Sequence, residues 1–244
     1  MGGRIVRIGP VDVSAMEQVD ALEVVISVIR AHEPACIGFC NAHTVNLARR
    51  DERLARALAQ MVVFNDGIGL DIAGKMLYGE KFPANLNGTD LTPAVLDHYP
   101  ESLKIFLLGS RPEIADRAAE NLIASYPRHR LAGVHHGFFS PADETSIAAK
   151  IAASAPDLVL VGMGQPRQEI WAVANAHRLG CTVMCVGAMI DRFAGVVPRA
   201  PLLLRKAGLE WVYRLVLEPR RLFSRYVTGN ATFLRDVYEE KRSR

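Results

Sequence analysis

The sequence predicts an α/β protein in which a mainly parallel sheet, or more than one, is flanked by helices in a Rossmann-like arrangement. Short apolar runs recur along the chain, and each is followed by polar or glycine-rich residues and then by a helical pattern. Runs that are apolar throughout are typical of strands covered on both faces, as in a parallel sheet between two layers of helices. A basic segment with a helical pattern follows at the C-terminal end.

Strands are expected where apolar residues run for three or four positions between polar ones. The five predicted strands are Ile37–Phe39, Val62–Phe64, Ile105–Leu108, Leu158–Val161 and Val183–Val186. The spacing of apolar residues predicts an amphipathic helix over about Pro112–Ser125. We assign residues 1–198 to an α/β catalytic domain with a possible subdivision near residue 101.

Residues 199–244 form the predicted basic helical appendage. They contain 11 Lys or Arg and 5 Asp or Glu, whereas residues 1–198 contain 18 and 21. Pro219 is expected to break or restart the helical pattern, with a second helix from about Arg220 to Glu240. Basic amphipathic helices bind anionic membrane surfaces, although a packed helix pair with a solvated Arg/Lys face has the same composition.

The composition also limits the class of protein. No run of 18 apolar residues and no signal-peptide pattern occur, so we expect a cytoplasmic protein. The basic C-terminal segment adds the expectation that it is peripheral on the inner face of the cell membrane. The cysteines lie in apolar runs and are expected to be buried rather than to form disulfides or bind metal. They are Cys36, Cys40, Cys181 and Cys185. We expect no metal, no cofactor and no nucleic acid.

The segment Asn65-Asp66-Gly67-Ile68-Gly69 follows the second predicted strand directly. In open α/β sheets, ligands bind beyond the carboxyl ends of the strands, and Asp66 is expected at that edge. Its carboxylate can serve as a general base for a sugar hydroxyl, while Gly67 lets the backbone approach a ligand closely. The alternative is that Asp66 only caps the N-terminus of the next helix.

The segment Gly162-Met163-Gly164-Gln165-Pro166-Arg167-Gln168-Glu169 follows the fourth predicted strand. A glycine-rich turn that leads into a helix N-terminus is a ready anion site, and Pro166 suits the first position of that helix. Gln165, Arg167 and Gln168 add donors for phosphate, ribose or a base. Because the segment matches neither the dinucleotide fingerprint nor the P-loop, it indicates a phosphate-containing ligand without naming it, and an ordinary turn is the alternative.

Arginines are concentrated in the C-terminal segment, at Arg214, Arg220, Arg221 and Arg225. Guanidinium groups match the oxygens of a diphosphate, and their spacing allows one helical face to present Arg214, Arg221 and Arg225 unless Pro219 bends it away. They can serve a nucleotide diphosphate, a lipid diphosphate or lipid head groups. Simple surface charge is the alternative.

Further polar groups lie near predicted strand ends. His43 stands beside Asn41 and Thr44 after the first strand, and we expect these residues to line the same edge as Asp66. Asp191 follows the last strand, where it either lines that edge or caps a helix.

In their order along the chain, these motifs resemble the WecG/TagA/CpsF glycosyltransferase family, and the resemblance covers roughly residues 37–226. The matching stretches include Asn41-Ala42-His43-Thr44-Val45-Asn46, Asn65-Asp66-Gly67-Ile68-Gly69, Asn87-Gly88-Thr89-Asp90, Phe106-Leu107-Leu108-Gly109, the Gly162–Glu169 segment and Glu218-Pro219-Arg220-Arg221.

The resemblance implies an inverting, metal-independent transfer of a sugar from a UDP-sugar to a polyprenyl-diphosphate-linked sugar acceptor. Asp66 is then implied as the catalytic base, with Asn41 and Thr44 as further catalytic residues. The implied substrate-binding residues are Gly67, Asn87, Asp90, Gly109, Gly162, Gly164, Gln165, Arg167, Gln168, Asp191, Arg214, Arg221 and Arg225. The arginines among them suit a leaving diphosphate, because fixed cations stabilise the charge that it gains in the transition state.

Two positions near the presumed sugar site depart from the teichoic-acid members of that family. Asn85 stands where those members carry an arginine, and Phe39 stands where they carry a threonine. The stretch from Asn85 to Asp90 is more similar to members that build exopolysaccharide by transferring glucose to a lipid-linked glucose. We therefore expect such a member. The alternatives are an N-acetylmannosaminyltransferase of teichoic-acid or common-antigen type and a dinucleotide-dependent oxidoreductase. Homo-oligomers are compatible with the sequence.

Overall fold

The computed structural model describes residues 3–201, 203–204 and 208–244, with the side chains in these ranges except that of Arg221. Eight strands of the described chain form one sheet in the order β1-β2-β4-β3-β8-β7-β5-β6. They are β1 (Arg4–Ile8), β2 (Val11–Ala15), β3 (Ala35–Cys40), β4 (Val62–Asn65), β5 (Lys104–Gly109), β6 (Arg130–His135), β7 (Leu158–Gly162) and β8 (Thr182–Cys185). The predicted α/β class with a mainly parallel sheet is confirmed.

Helices connect most of these strands. In the first part of the chain they are α1 (Gln18–Arg30), α2 (Ala42–Ala48), α3 (Glu52–Leu58), α4 (Ile68–Tyr78), α5 (Gly88–His98) and α6 (Pro112–Ser125). In the second part they are α7 (Glu144–Ala153), α8 (Arg167–Leu179), α9 (Met189–Phe193), α10 (Glu210–Leu217), α11 (Pro219–Phe223) and α12 (Gly229–Ser243). A 3₁₀ turn over Pro141–Asp143 precedes α7, and a π-helical turn over Ser224–Thr228 joins α11 to α12.

Only the hairpin of β1 and β2 is antiparallel among the strand pairs of the described chain. All five predicted strands are present, and the last of them lies one residue earlier than expected. Three strands are not predicted. β1 and β6 lie at the two edges of the sheet and are partly exposed, and β2 is interrupted by Asp12 and Ser14, so none of them reads as a continuous apolar run. At the edge strands β1 and β6, polar positions are tolerated because fewer neighbours cover the strand.

The two faces of the sheet carry different helices. Side chains from α1, α5, α6 and α9 form one core cluster with residues such as Met184 of β8. The next residue of that strand, Cys185, points to the opposite face, where α7 and α8 pack. The same face is covered over β1 to β4 by α2, α3, α4 and α12. The carboxyl ends of the parallel strands are left between these layers, and loops run from them into α2, α4, α8 and α9.

The sequence explains why α6 forms over the residues predicted. Pro112 occupies the first turn, where its missing N–H costs no intrahelical hydrogen bond. Ala115, Ala118, Ala119 and Leu122 are spaced by three or four residues and are all buried against the sheet. The alanines let the helix approach the strands closely.

The C-terminal helix α12 is part of the core. Phe233 and Val237 are fully buried in the same cluster as α2 and α4. Farther along the helix, the Glu240 carboxylate accepts from the backbone N–H of Gly9 over 3.0 Å and from Arg49 over 2.7 Å. The predicted helix from Arg220 to Glu240 is therefore present, but it is interrupted by the π turn. Within the described ranges, every helix is too short or too polar to cross a lipid bilayer.

Candidate active site

The carboxyl ends of the adjacent strands β3 and β4 bring the first site residues together. Asn41 follows β3 and Asp66 follows β4, and the Asp66 backbone N–H donates to the carbonyl of Cys40 over 2.7 Å. The Asn41 side chain then reaches the Asp66 carboxylate, with Nδ2 3.3 Å from Oδ2. Asp66 does not cap α4, because the N-cap residue is Gly67, which adopts a positive φ of 86°. The carboxylate is thus left facing the edge of the sheet.

The orientation of the Asn41 amide is set by the start of α2. Asn41 is the N-cap, and its Oδ1 accepts from the backbone N–H of Thr44 over 3.2 Å. In return, the Thr44 hydroxyl accepts from the Asn41 backbone N–H over 3.1 Å. This capping box turns Oδ1 toward the helix and leaves Nδ2 to donate to Asp66.

Gln165 connects the second half of the chain to this site. Its Oε1 accepts from the Thr44 hydroxyl over 3.0 Å, and its Nε2 donates to the backbone carbonyl of Phe39 over 3.2 Å. The Gln165–Pro166 peptide bond is cis. Pro166 is the N-cap of α8, so the helix begins at Arg167, one residue later than predicted.

The Asp66 carboxylate has opposing electrostatic influences. Burial raises its pKa above the ordinary value, whereas the hydrogen bond from Asn41 and the charges of Arg225 and Arg214 act to lower the pKa. A carboxylate with a raised pKa is a stronger proton acceptor, and nearby cations favour its ionised form. The surroundings of Asp66 therefore act on its pKa in both directions, with burial as the larger effect.

A cavity of about 260 Å³ lies in front of Asp66, between the sheet edge and the C-terminal helices. Its sheet side is lined by Asn41, His43, Asp66, Gly67, Asn85 and Asn87, among others. Its opposite side is lined by Glu210, Trp211, Arg214, Arg225, Tyr226 and Phe233, among others. A concave site with apolar walls and a few convergent polar groups is the usual form of a small-molecule site.

Two of the predicted arginines reach this cavity. Arg214 comes from α10 and Arg225 from the π turn, and both lie close enough to Asp66 to influence its pKa. They come together through tertiary packing, since Pro219 starts a new helix between them. The side chain of the third predicted arginine, Arg221, lies outside the described part of the structure. Two guanidinium groups beside a carboxylate suit a ligand that carries phosphate.

The loop between α4 and α5 forms the floor of the cavity. Asn85 Oδ1 accepts from the backbone N–H of Gly67 over 2.8 Å. Asn87 caps α5, because its Oδ1 accepts from the backbone N–H of Asp90 over 2.9 Å. Asp90 itself forms an ion pair with Arg199 and does not line the cavity. Of the predicted Asn87 and Asp90 pair, only Asn87 faces the space in front of Asp66.

Two predicted ligand donors in the turn after β7 contact their own chain. The guanidinium group of Arg167 donates to the carbonyls of Gly137 and Phe139 over 2.8 and 2.9 Å, and it stacks on the Phe139 ring. Gln168 is buried, and its Oε1 accepts from the backbone N–H of Gly164. The structure thus shows Arg167 holding the loop after β6 and Gln168 holding its own turn, and neither lines the cavity.

Gly109, Gly162 and Asp191 form a separate group at the same edge, beyond the ends of β5 and β7. A side chain at Gly109 would lie 2.4 Å from the carbonyl oxygen of Gly162, so close strand packing requires glycine there. Asp191 lies within α9 rather than at its cap, and its Oδ1 accepts from the Ser110 hydroxyl over 2.5 Å. None of these residues lines the cavity in front of Asp66.

Sequence reasoning missed the aromatic wall of the cavity. Trp211, Tyr226 and Phe233 line it, and the Trp211 and Tyr226 rings lie 5.8 Å apart. Their positions in an amphipathic C-terminal segment were the available signal, but the pattern does not tell which helix face meets the sheet edge.

His43, expected at this edge, lines the cavity, and burial lowers its pKa to about 4 with a smaller contribution from Arg225.

Within the described ranges, His, Cys, Asp and Glu side chains do not gather in groups of three or more that could hold a metal ion. The cysteines of this part are buried thiols, as expected, and each is free of disulfide bonds.

Comparison with known proteins places the chain in a family. The family model described as "Glycosyl transferase WecG/TagA/CpsF family" matches residues 6–244. A Staphylococcus aureus (strain NCTC 8325 / PS 47) protein is 38% identical over 120 residues, which cover 49% of this chain and 46% of that protein. A Bacillus spizizenii protein (strain ATCC 23059 / NRRL B-14472 / W23) is 33% identical over 174 residues, which cover 68% of this chain and 66% of that protein.

Both relatives are named N-acetylglucosaminyldiphosphoundecaprenol N-acetyl-beta-D-mannosaminyltransferase. The matched region spans about half the length of the staphylococcal relative. The family model, by contrast, covers nearly all of this chain, including the sheet edge and the C-terminal helices that enclose the cavity. The chain therefore belongs to the WecG/TagA/CpsF family of glycosyl transferases.

Proposed function

We propose that this protein transfers a hexosyl unit from a UDP-sugar to a sugar that is linked to a polyprenyl diphosphate. The observation that carries the proposal is the cavity in which the Asp66 carboxylate faces two arginines, Arg214 and Arg225. One side of that cavity supplies a base and the other supplies positive charge. Glycosyl transfer to a hydroxyl needs both, because a proton leaves the acceptor while negative charge grows on the diphosphate.

In the proposed reaction, the acceptor hydroxyl attacks the anomeric carbon of the donor and the bond to the UDP oxygen breaks. Asp66 takes the hydroxyl proton, and Asn41 orients the carboxylate through its Nδ2 hydrogen bond. Arg214 and Arg225 neutralise the diphosphate as it leaves. Trp211 and Tyr226 exclude water from the cavity, which disfavours hydrolysis of the donor.

The names of the relatives favour N-acetylmannosamine as the transferred sugar and lipid-linked N-acetylglucosamine as the acceptor. The sequence motifs alone favour glucose transfer, with N-acetylmannosamine transfer as the alternative. The names of the relatives reverse this preference. Glucose transfer in exopolysaccharide synthesis is the second candidate. Its support comes from Asn85 and Phe39, the two positions at which the sequence departs from the teichoic-acid members. Asn85 lines the cavity, and the Phe39 ring packs against Gly88 next to the cavity.

A membrane-bound acceptor requires the cavity to approach a lipid surface. The C-terminal segment beside the cavity exposes large apolar side chains, including Val216 (74% exposed) and Phe223 (59% exposed). The same segment carries the excess of Lys and Arg. Apolar side chains next to basic ones bind the interface of an anionic bilayer, so we propose that α10 and α11 rest on the membrane.

The decisive experiment measures sugar transfer by purified protein with UDP-N-acetylmannosamine and UDP-glucose, each with lipid-linked N-acetylglucosamine and lipid-linked glucose. Asp66→Asn should lower transfer about 10²- to 10⁴-fold while UDP binding is kept. Asp71→Asn is the matched control, because Asp71 is a partly buried carboxylate of the adjoining helix α4 that does not line the cavity. Full activity of Asp66→Asn would refute the base assignment, and no transfer by the wild type with any pair would refute the proposed function.

A further inference from the structure

Asn46 is a buried amide that joins helix α2 to the C-terminal helices. It is 7% exposed, and its neighbour Val45 belongs to the apolar cluster that α2 shares with α4 and α12. Its Nδ2 donates to the backbone carbonyl of Gly229 over 2.7 Å, whereas its Oδ1 is buried without a hydrogen-bond partner within the described structure. A buried amide with one end unsatisfied contributes little to stability, because the desolvation of that end opposes the bond made by the other. The contact with Gly229 therefore calls for a further reason.

Gly229 is the residue at which the π turn closes and α12 begins. Its backbone N–H donates to the carbonyl of Ser224, which is the bond that completes the turn. In an α-helix, the carbonyl of Gly229 also accepts from the backbone N–H four residues later, that of Phe233. A carbonyl oxygen has two lone pairs, so Asn46 adds a second bond to a group that the helix already satisfies. The Asn46 bond thus fixes the place of the turn rather than filling an otherwise empty acceptor.

The π turn carries two side chains into the cavity, those of Arg225 and Tyr226. Arg225 comes about one helical turn before Gly229, and it lies close enough to Asp66 and His43 to lower the pKa of both. Turns of this kind are rare and occur frequently at functional sites. A shift of Gly229 relative to α2 would therefore move the Arg225 guanidinium group relative to the proposed base.

Helix α2 is in contact with both halves of the candidate site. At its start, the N-cap residue Asn41 directs its Nδ2 to the Asp66 carboxylate. Toward its other end, Asn46 holds Gly229 and with it the turn that carries Arg225. The carboxylate and the guanidinium group that face each other across the cavity are thus both referred to one short helix.

We infer that Asn46 is a positioning residue that holds Arg225 opposite Asp66 by anchoring Gly229 to α2. The inference rests on the proposed function, in which Arg225 neutralises the diphosphate of the donor. Asn46 does not line the cavity, and it acts on the ligand only through the π turn.

Asn46→Leu tests this role, because leucine has a similar size and cannot donate to the Gly229 carbonyl. The unsatisfied Oδ1 disappears together with the bond, and the carbonyl keeps its helical partner, so we expect a thermal midpoint within about 4 °C of that of the wild type. UDP binding, measured by isothermal titration calorimetry, should weaken about three- to tenfold. Thr232→Val is the matched control, because the Thr232 hydroxyl donates to the carbonyl of Thr228 in an exposed bond at the same turn. It should keep the UDP affinity of the wild type.

A double-mutant cycle with Arg225→Gln tests whether Asn46 acts through this arginine. Arg225→Gln alone should weaken UDP binding about tenfold to a hundredfold, because a charge-assisted hydrogen bond is lost. If Asn46 serves to place Arg225, Asn46→Leu should change the affinity less than about twofold in the Arg225→Gln background. Multiplicative effects, or an Asn46→Leu protein with the affinity of the wild type, would overturn the inference.

The titration of His43, followed by NMR, gives a readout that needs no ligand. Loss of the nearby positive charge in Arg225→Gln should raise the pKa of His43, and Asn46→Leu should raise it as well, with no further rise in the double variant. The other charged groups that line the cavity are unchanged in these variants, namely Asp66, Glu210 and Arg214. A His43 pKa unaffected by Asn46→Leu would contradict the inference.

Two further outcomes are distinct. Asn46→Ala serves as a second variant if Asn46→Leu does not fold, and failure of both to fold would show that Asn46 is required for the fold itself, which would also overturn the inference. A wild type that does not bind UDP would instead refute the proposed function, and the His43 titration would then decide the role of Asn46 by itself.

Discussion

The structure predicts that the C-terminal helix α12 is a stabilising part of the core rather than a detachable tail. Val237→Ala tests this without touching the cavity, because the Val237 side chain is 0% exposed and does not line it. Phe233 of the same helix is less suitable, since its ring forms part of the cavity wall. The substitution removes two methyl groups from the cluster that α12 shares with α2 and α4.

The expected cost has two parts. Burial of each methyl-sized group contributes about 0.8 kcal/mol, and the cavity left behind adds about 24 cal/mol per Å³ of unfilled volume. Together they lower the free energy of unfolding by about 2 to 3 kcal/mol. A loss of this size is a large fraction of the stability of an ordinary domain, which is about 5 to 15 kcal/mol.

The assay is urea denaturation followed by circular dichroism, with sugar transfer measured on the same preparations. Tyr238→Ala is the matched control, because Tyr238 is the next residue of α12 and is 54% exposed. It should change the free energy of unfolding by no more than about 0.5 kcal/mol. If Val237→Ala cost as little as Tyr238→Ala, α12 would open independently of the sheet, and the reasoning from burial would be refuted.

Three further predictions concern single groups. His43 has a pKa lowered to about 4, so the free energy of unfolding of the wild type should fall as the pH drops from 6.5 toward 4, by up to about 3 kcal/mol. Urea denaturation at pH 7 and at pH 4.5 should show this loss in the wild type but not in His43→Gln. An equal loss in the two proteins would contradict the prediction. Burial raises the pKa of Cys36 and of Cys181 to about 12. A thiol reagent at pH 8 should therefore label the native protein at a small fraction of the rate seen in denaturant. Equal labelling rates would show that the cysteines are accessible in the native protein. Asn87→Ala removes the cap of α5 and should lower the free energy of unfolding by about 1 kcal/mol, whereas an unchanged denaturation curve would show that the cap contributes nothing.

The central strands show how far the sequence alone predicts this fold. Ile105–Leu108 and Leu158–Val161 are buried on both faces, so every residue is apolar and the run is visible without any knowledge of its neighbours. The edge strand β6 has no such signal, because it is partly exposed and its partner covers one side only. Local composition therefore predicts strands in proportion to how completely the structure buries them.

The sequence by itself determined the α/β class, the helix over Pro112–Ser125 and the position of Asp66 at a strand end, because each depends on neighbours close along the chain. It also offered the arginines near the C-terminus as a site for a diphosphate, and this stays a prediction. Only the tertiary structure decided which groups share a cavity. Arg214 and Arg225 reach Asp66 across about 150 residues because α12 packs on α2 and α4, whereas Arg167 turns to the carbonyls of the loop after β6. Such choices follow from packing between distant segments, and sequence spacing carries no record of them.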